Sequence, residues 1–542
     1  VLSVSCFYHL GAPQFQDESK GRLTLVHPWD MRVYFPVAKY FKELKFDGLY
    51  LASVAAYLDN NNVGPDKIAR VRLRDLRDNQ MRLVSEVVPE IEGVRTRFSP
   101  ERWQEFRKDM LYFQNVMGRD HYLGSLQDHG GNATPVWILG AHLLFRKAPA
   151  SELTLTLTGL LDPLLLLVTF IFIGRTFGLR VMLLVMILFG ATDYSRFGTN
   201  LMGSTLRADW MAAVGLGACA FRRGRPMLAG GLMAYAGLVR AFPALATFMM
   251  VVPALWWVIE KVIADRRLPS LVALRAEHGA TLRAVAGAAA TVAVLVAVSA
   301  APFGFSSSWG AWAQKIKIHA EKPNTNHVGL RNLAAFQADK TGQQLLREGL
   351  PEPWTKWQQE QLAAFGRRRP LYYAGIALYL GLALAACRRR RPEQAALIGL
   401  TLIPVFFYPA NYYCHYVFLL PLMATASGSR EQAPYGRLFP WVALVLLGMC
   451  IAQYPSLSTG WSDVIYTWQS LILLLGFAAI LAPMAWDTWR RPRPDEVMAA
   501  ATLAPPAPEG ESKKGESKTG ESKGEATPAK PPVTPAPATS AP

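Results

Sequence analysis

The sequence predicts an all-α polytopic membrane protein, and three observations carry that prediction. Of the 542 residues 51% are apolar, in long runs of Leu, Ala, Val and Phe. The mean hydropathy is positive, at +0.15. Short clusters of Lys and Arg separate the runs. A bilayer core roughly 30 Å thick takes about 20 apolar residues per helix, and helices satisfy every backbone polar group within themselves. The 57 Lys and Arg exceed the 40 Asp and Glu, but they sit between apolar runs, which is the signature of topology and not of nucleic-acid binding. Cys6, Cys219, Cys387, Cys414 and Cys450 lie far apart without metal-ligand spacing. They indicate neither a disulfide framework nor a zinc site.

Taken in order, Val1–Ala12 is apolar and reads as the end of a first transmembrane helix, with a cleaved signal peptide as the alternative. Residues 13–151 form the first periplasmic loop, too long and too charged, up to about Ala133, for a tight turn. Within it, Ala69–Glu86 and Pro100–Met117 carry apolar residues at helical spacing with charges between them. They predict amphipathic helices. Pro135–Phe145 is apolar but too short to span, and reads as a re-entrant or interfacial helix.

Transmembrane helices are expected in 152–302 and 371–490, at about 152–174, 180–194, 207–221, 226–240, 243–260, 284–302, 371–387, 393–410, 414–427, 437–454 and 467–486. A second polar loop, 303–370, divides the two groups. Basic clusters at Arg222, Arg223 and Arg225, at Lys261, Arg266 and Arg267, at Arg388–Arg391, and at Arg490, Arg491 and Arg493 all fall on one side by span counting. The positive-inside rule makes that side cytoplasmic and gives about twelve spans. Asp30 and the 303–370 loop then share the outer face, which in a bacterial inner membrane is the periplasm. Residues 491–542 become Ala, Pro, Gly, Ser, Lys and Glu, with Gly-Glu-Ser-Lys recurring between Gly510 and Lys523. With so little to bury, they are expected to be a disordered cytoplasmic tail.

Candidate chemistry gathers on the outer side. Asp30 stands in His27-Pro28-Trp29-Asp30-Met31-Arg32-Val33-Tyr34-Phe35. It reads either as a helix N-cap or as a catalytic base flanked by Trp29 and Tyr34, which suit a sugar or an interface. Pro36 complicates a straight helix there. Arg240, between two apolar runs, either snorkels to headgroups or meets a phosphate. Arg207 and Asp209 read as a pair. The outer loop interleaves Trp309, Trp312, Lys315, Lys317, His319, Lys322, Asn324, Asn326, His327 and Arg331. Such residues bind a lipid phosphate and stack on a sugar, and any interfacial helix also carries them. His415, in Asn411-Tyr412-Tyr413-Cys414-His415-Tyr416, is either an interface residue or part of the same outer site.

The order of these segments resembles the polyprenyl-phosphate-dependent GT-C glycosyltransferases, in the branch of bacterial alpha-mannosyltransferases of lipid glycosylation. Asp30 to Tyr34 is similar to that branch's Asp-x-x-x-Tyr element in the first outer loop. Thr134-Pro135-Val136-Trp137 is similar to its short helix after that loop, and Gly230 to Pro243 to its Gly-rich span, with Arg240 where Lys is usual. Asn324 to Asn332 matches its late Asn element, while Asn411 to His415 keeps the His of a Trp-Asp-His-His-like element and lacks the Asp. The likeness covers most of residues 27–425; the first outer loop is longer than the family's.

The resemblance implies a GT-C-like bundle with helical periplasmic loops, in the inner membrane of a cell envelope. It implies transfer of a mannose-like hexose from a polyprenyl-phosphate donor to a lipid or glycan acceptor; no metal site is evident in the sequence, so no metal or other cofactor is required. Asp30 would be the general base, and Arg240, Lys315, Lys317 and Arg331 would hold the donor phosphate. Trp29, Tyr34, His327 and His415 would contact sugar or acceptor. A transporter or flippase of lipid-linked sugars is the rival from another class, and a protein O-glycosyltransferase differs only in its acceptor. The absence of a clear internal repeat and the outward clustering of polar groups favour the enzyme.

Overall fold

The computed structural model describes residues 15–194, 203–350, 352–425, 437–456, 458, 460 and 462–490. It is mostly helical, at 75%. The expected helix fragment 1–12 and tail 491–542 lie outside the described residues.

Among the described residues, six helices are long and apolar enough to cross a membrane: Glu152–Phe177, Ala244–Asp265, Leu271–Ala300, Pro353–Cys387, Phe439–Ser456 and Asp463–Trp489. The shorter apolar helices Leu179–Thr192 and Pro226–Val239 pack against them. A carbon added to Gly230 would stand 1.8 Å from the Ala284 carbonyl oxygen, and one on Gly287 2.0 Å from that of Met227. Small residues thus let Pro226–Val239 and Leu271–Ala300 meet backbone to backbone, as helices do where no side chain can be squeezed out.

Several expected elements differ. The segments expected to span at 393–410 and 414–427 are short pieces: Pro392–Leu400, Ile403–Phe406 and a buried 3-10 helix, Asn411–Ala424. Pro404 opens the second piece, Pro409 precedes the third and Pro421 lies within it, and each proline removes a backbone donor that a continuous α-helix needs. The helix expected at 284–302 begins earlier, at Leu271, and the one at 371–387 begins at Pro353 and runs through Pro370. Residues 69–86 do not form the expected amphipathic helix: Arg72–Asp75 and Gln80–Leu83 pair as an antiparallel hairpin. Its turn passes through Asn79 at φ 60°, and Arg72, Leu73, Arg74 and Asp75 alternate between outside and core with the period of a strand. A second hairpin, Phe15–Asp17 with Arg22–Thr24, also departs from an all-α reading. The helix expected from Pro100 is present and continues to Gly124 across a break at Gly118.

The layer formed by residues 15–151 is built on the helix Pro28–Lys39. The His27 imidazole caps it by accepting from the Asp30 backbone N–H at 3.3 Å. Asp30 itself is therefore not the cap, and the helix continues through Pro36. Phe35 packs on Phe145 and Phe113, at ring distances of 4.8 and 6.0 Å. At the helix end the buried Lys39 ammonium lies 2.8 Å from both Asp109 and Glu105 and donates to the Ala148 carbonyl. Asp109 also accepts from the Tyr40 hydroxyl and the Ala150 N–H. One carboxylate thereby joins three chain segments.

The bundle has two chemically distinct ends. At one, Glu260 pairs with Arg388 and Arg389, Asp487 with Arg390, and Arg388 covers Trp489. The helix Asp209–Arg222 runs from Arg207 to the Arg222 cluster, and Ala244–Asp265 runs from just beyond Arg240 to the Lys261 cluster. Arg207 and Arg240 thus stand at the opposite end.

Removing one partner of a buried ion pair costs about 3 kcal/mol, because the other charge stays buried. Asp109→Ala is expected to lower stability by roughly that much, measured by denaturant unfolding in detergent. Glu105→Gln, at a carboxylate with 38% of its side chain exposed, is expected to cost below about 1 kcal/mol. Equal losses would contradict the assignment of Asp109 as the joint.

Candidate active site

At the end opposite the basic clusters lies a cavity of about 340 Å³, walled by residues of the first segment, of the late loop and of the bundle. The first segment contributes Trp29, Asp30, Tyr34, Asp128 and His129, and the bundle contributes Arg207, Arg240 and Phe242. The late loop supplies Trp312, His319, Asn324 and His327, and the residues before the 3-10 helix and in its first turn supply Tyr408, Tyr412 and Tyr413. Asp30 and Arg240, singled out from sequence far apart, line the same cavity.

Asp30 is held by a neighbour that the sequence did not suggest. Arg207 approaches it as a fork, Nε donating to Oδ2 at 3.1 Å and Nη2 to Oδ1 at shorter range. The expected Arg207–Asp209 pair does not form. Asp209 instead accepts from the Tyr235 hydroxyl at 3.0 Å and from the Trp210 N–H at 2.8 Å. Residues two apart at a helix start point in different directions, so proximity in sequence was a poor guide. The Arg207 guanidinium carbon also lies over the Tyr34 ring, 3.5 Å from its centre.

The backbone that carries Arg207 is fixed on three sides. Asp162 accepts the Arg207 and Ala208 N–H groups at 2.8 and 3.0 Å. The Trp137 indole donates to the Leu206 carbonyl at 2.8 Å, and the His27 N–H donates to the Gly203 carbonyl at 3.1 Å. Thr134 in turn caps the Trp137 helix through the Trp137 N–H.

Arg240 is 5% exposed. Its Nη1 donates to the Val239 carbonyl at 2.8 Å, while Nε and Nη2 have no hydrogen-bond partner among the described residues. Nη1 of Arg207 is in the same condition. A buried guanidinium N–H without an acceptor is expensive in a dry wall, so both arginines present anion-binding capacity that the protein does not itself use.

The titratable groups divide. Burial pushes Asp30 up, but the charge and hydrogen bonds of Arg207 outweigh it and hold the carboxyl below its ordinary value. Asp128 is pushed the other way, by burial and by the Asp30 charge, while its carboxylate accepts from the Gly130 N–H at 3.0 Å and the Tyr50 hydroxyl. Burial and neighbouring positive groups press His319 and His327 down to about 3, which leaves both neutral near pH 7. The strand-like pairing of His327 with Ala410 and the Val328 N–H bond to the Pro409 carbonyl set the late loop against the 3-10 segment.

Other residues singled out from sequence stand elsewhere. Lys315 is buried outside the cavity wall, donating to the Leu76 carbonyl at 3.3 Å, and burial and the Arg74 charge lower it to about 8. Lys317 is exposed and does not line the cavity. Arg331 donates to the Ala320 and Glu321 carbonyls and lies over Phe365 and Tyr408. It clamps the loop behind the wall. His415 donates to the Phe189 carbonyl at 2.8 Å and stacks on that ring, inside the bundle. Trp29, Tyr34 and His327 do line the cavity. Asp128 and His129 went unremarked in the sequence, although Asp128-His129-Gly130-Gly131-Asn132 is a polar, Gly-rich break ahead of an apolar helix.

Among the described residues no group of three His, Cys, Asp or Glu side chains is placed to hold a metal ion, and the four described cysteines are buried and unpaired.

Gly203 has φ +72°, and a carbon added there would fall 1.9 Å from the Leu25 carbonyl oxygen. Gly203→Ala is expected to destabilise the fold by about 2 kcal/mol or more, from left-handed strain and the backbone clash together. Gly64→Ala, with open space around it, should be nearly neutral in the same thermal unfolding measurement. No family model, curated protein or solved structure matches the chain.

Proposed function

We propose that the chain is a membrane glycosyltransferase that moves a sugar, a mannose-like hexose by preference, from a polyprenyl-phosphate donor to a lipid or glycan acceptor. One observation carries the reading: a carboxylate and two arginines with unspent buried N–H groups share one cavity of aromatic and neutral polar walls.

The chemistry that suits such a site is displacement at an anomeric carbon. The acceptor hydroxyl attacks that carbon from the face opposite the lipid phosphate, and its proton passes to Asp30. The bond from the anomeric carbon to the phosphate oxygen breaks, and its electron pair leaves with the phosphate. Arg240 meets the charge that grows there, in a low-dielectric wall where a fixed cation is worth more than in water. Trp29 offers a ring face to a sugar, Tyr34 supports the Arg207 guanidinium, and neutral His327 lines the loop wall with its ring nitrogens turned to Asn324. Lys315, Lys317, Arg331 and His415 have no direct part in this scheme, because the first three point to loop carbonyls or solvent and the fourth to the bundle interior.

The bilayer orientation follows from the two ends of the bundle. With the basic end in the cytoplasm, the cavity opens on the periplasmic side of the inner membrane. The six long helices supply half of about twelve spans in this reading, and shorter or broken apolar segments supply others.

Asp30→Asn is expected to reduce transfer by roughly 10²- to 10⁴-fold, the usual contribution of a general base. The assay uses membranes supplied with a panel of polyprenyl-phosphate sugars and with lipid and glycan acceptors, and folding is followed by gel filtration in detergent. Near-normal turnover by the folded variant overturns the role of Asp30, and transfer from no donor in the panel overturns the enzyme reading.

A further inference from the structure

The grip of Arg207 on Asp30 sits awkwardly with a base. The Arg207 fork takes a lone pair on each Asp30 oxygen, and the guanidinium charge beside them holds down the affinity of the carboxylate for a proton. Among the described residues the same guanidinium keeps Nη1 without a hydrogen-bond partner, and in the wall of the same cavity Arg240 keeps Nε and Nη2. The backbone under Arg207 is immobilised by Asp162, Trp137 and His27. Only its side chain is free to change partner, and the Tyr34 ring beneath it offers a flat face along which a planar cation slides without losing its stacking.

The geometry points to Arg207 as a cation shared in turn between Asp30 and the phosphate of the donor. The phosphate, entering between Arg207 and Arg240, draws the guanidinium off the carboxylate, and Asp30 becomes a working base only when the donor is in place. This rests on the donor proposed above and adds to it a new phosphate-binding residue and an order of events: donor first, acceptor second. A base kept occupied until the donor arrives is also a base that does not act on water in the meantime. The charged and titratable neighbours facing Asp30 are His27 on its own segment, Tyr34 on its helix, Asp128 from the loop beyond and Arg207 from the bundle. Arg207 alone makes a side-chain ion pair with it among the described residues.

Competition for one cation has a thermodynamic signature. If Asp30 and the phosphate compete for Arg207, removing the Asp30 charge tightens phosphate binding even as it stops transfer. The test is equilibrium binding of decaprenyl phosphate to the purified full chain in nanodiscs. Asp30→Asn is expected to bind roughly tenfold tighter than the wild type, a coupling of ordinary size between two ligands of one site. Arg207→Gln is expected to bind at least about tenfold weaker, with Arg207→Lys, which keeps the charge but loses the fork, in between. The decisive comparison is Asp30→Asn in the Arg207→Gln background, where the gain should vanish. A gain of equal size there means simple repulsion by the carboxylate and overturns the exchange, as does a folded Asp30→Asn that binds no tighter. If the wild type neither binds decaprenyl phosphate nor transfers from decaprenyl-phosphate hexoses, the donor reading itself falls. If it does both and the variants behave otherwise than expected, only the exchange falls.

Discussion

The Asp30–Arg207 ion pair is the interaction on which the cavity end of this protein turns. It spans 177 residues of sequence and joins the helix Pro28–Lys39 to the loop that opens a helix of the bundle. Little of it is left to solvent, with side chains 15% and 4% exposed. Burial makes both halves of the pair depend on each other, since a lone charge at either place would be far more costly than the pair. The fork also fixes orientation: a planar guanidinium meeting a carboxylate edge to edge allows little rotation. The cavity wall therefore inherits its shape from this contact.

Behind the pair stands a set of backbone restraints drawn from otherwise separate elements. The membrane helix carrying Asp162, the short helix carrying Trp137 and the cap residue His27 each take one point of the 203–208 segment. Asp162 illustrates how a carboxylate within an apolar helix is tolerated: it is consumed by two N–H groups at the start of the helix Asp209–Arg222, where the helix dipole also favours negative charge. Lys39 with Asp109 repeats the principle among residues 15–151. In both places a buried charge serves to hold the chain; among the described residues, Arg32 also buries guanidinium N–H groups without an acceptor, against the Tyr50 and Tyr122 rings, while Arg207 and Arg240 are the charged residues with such atoms that line the cavity.

The helical membrane character was legible in the sequence because apolar run length is set by the bilayer and needs no tertiary information. So was the sorting of the charges: the basic clusters gather away from Asp30, and the late loop with His327 gathers around it. Helix breaks inside 393–427 were readable in principle from Pro404, Pro409 and Pro421, but an apolar run hides them when hydropathy is averaged over a window. The hairpin at 72–83 was lost to a similar cause, since alternating Arg and Leu satisfy a strand and loosely fit a helix. The partner of Asp30 could not be read at all. Charge pairing across 177 residues leaves no local trace, and Asp209 was a nearer and wrong choice. Lys315, Arg331 and His415 failed to reach the cavity for the same reason, as an interleaved basic and aromatic helix does not announce which face it buries.

The cavity has two unlike walls, and the difference constrains what fits it. The bundle wall brings Arg207 and Arg240, with donor groups and no neutralising carboxylate beyond Asp30 among the lining residues of that wall. The loop wall brings Asp128, whose ionisation is discouraged, and histidines held neutral by burial and nearby cations. Neutral histidines and a carboxyl that resists ionisation are suited to hydroxyl groups, while unspent guanidinium N–H groups are suited to an anion. A molecule that matches both walls is anionic toward the bundle and rich in hydroxyls toward the loops. Under the proposed reading that is a sugar phosphate hung from a lipid, with Asp30 at the seam between the walls. Its place there explains why a single arginine can reach both the base and the leaving group, and why the same contact that organises the fold is the one that catalysis must undo.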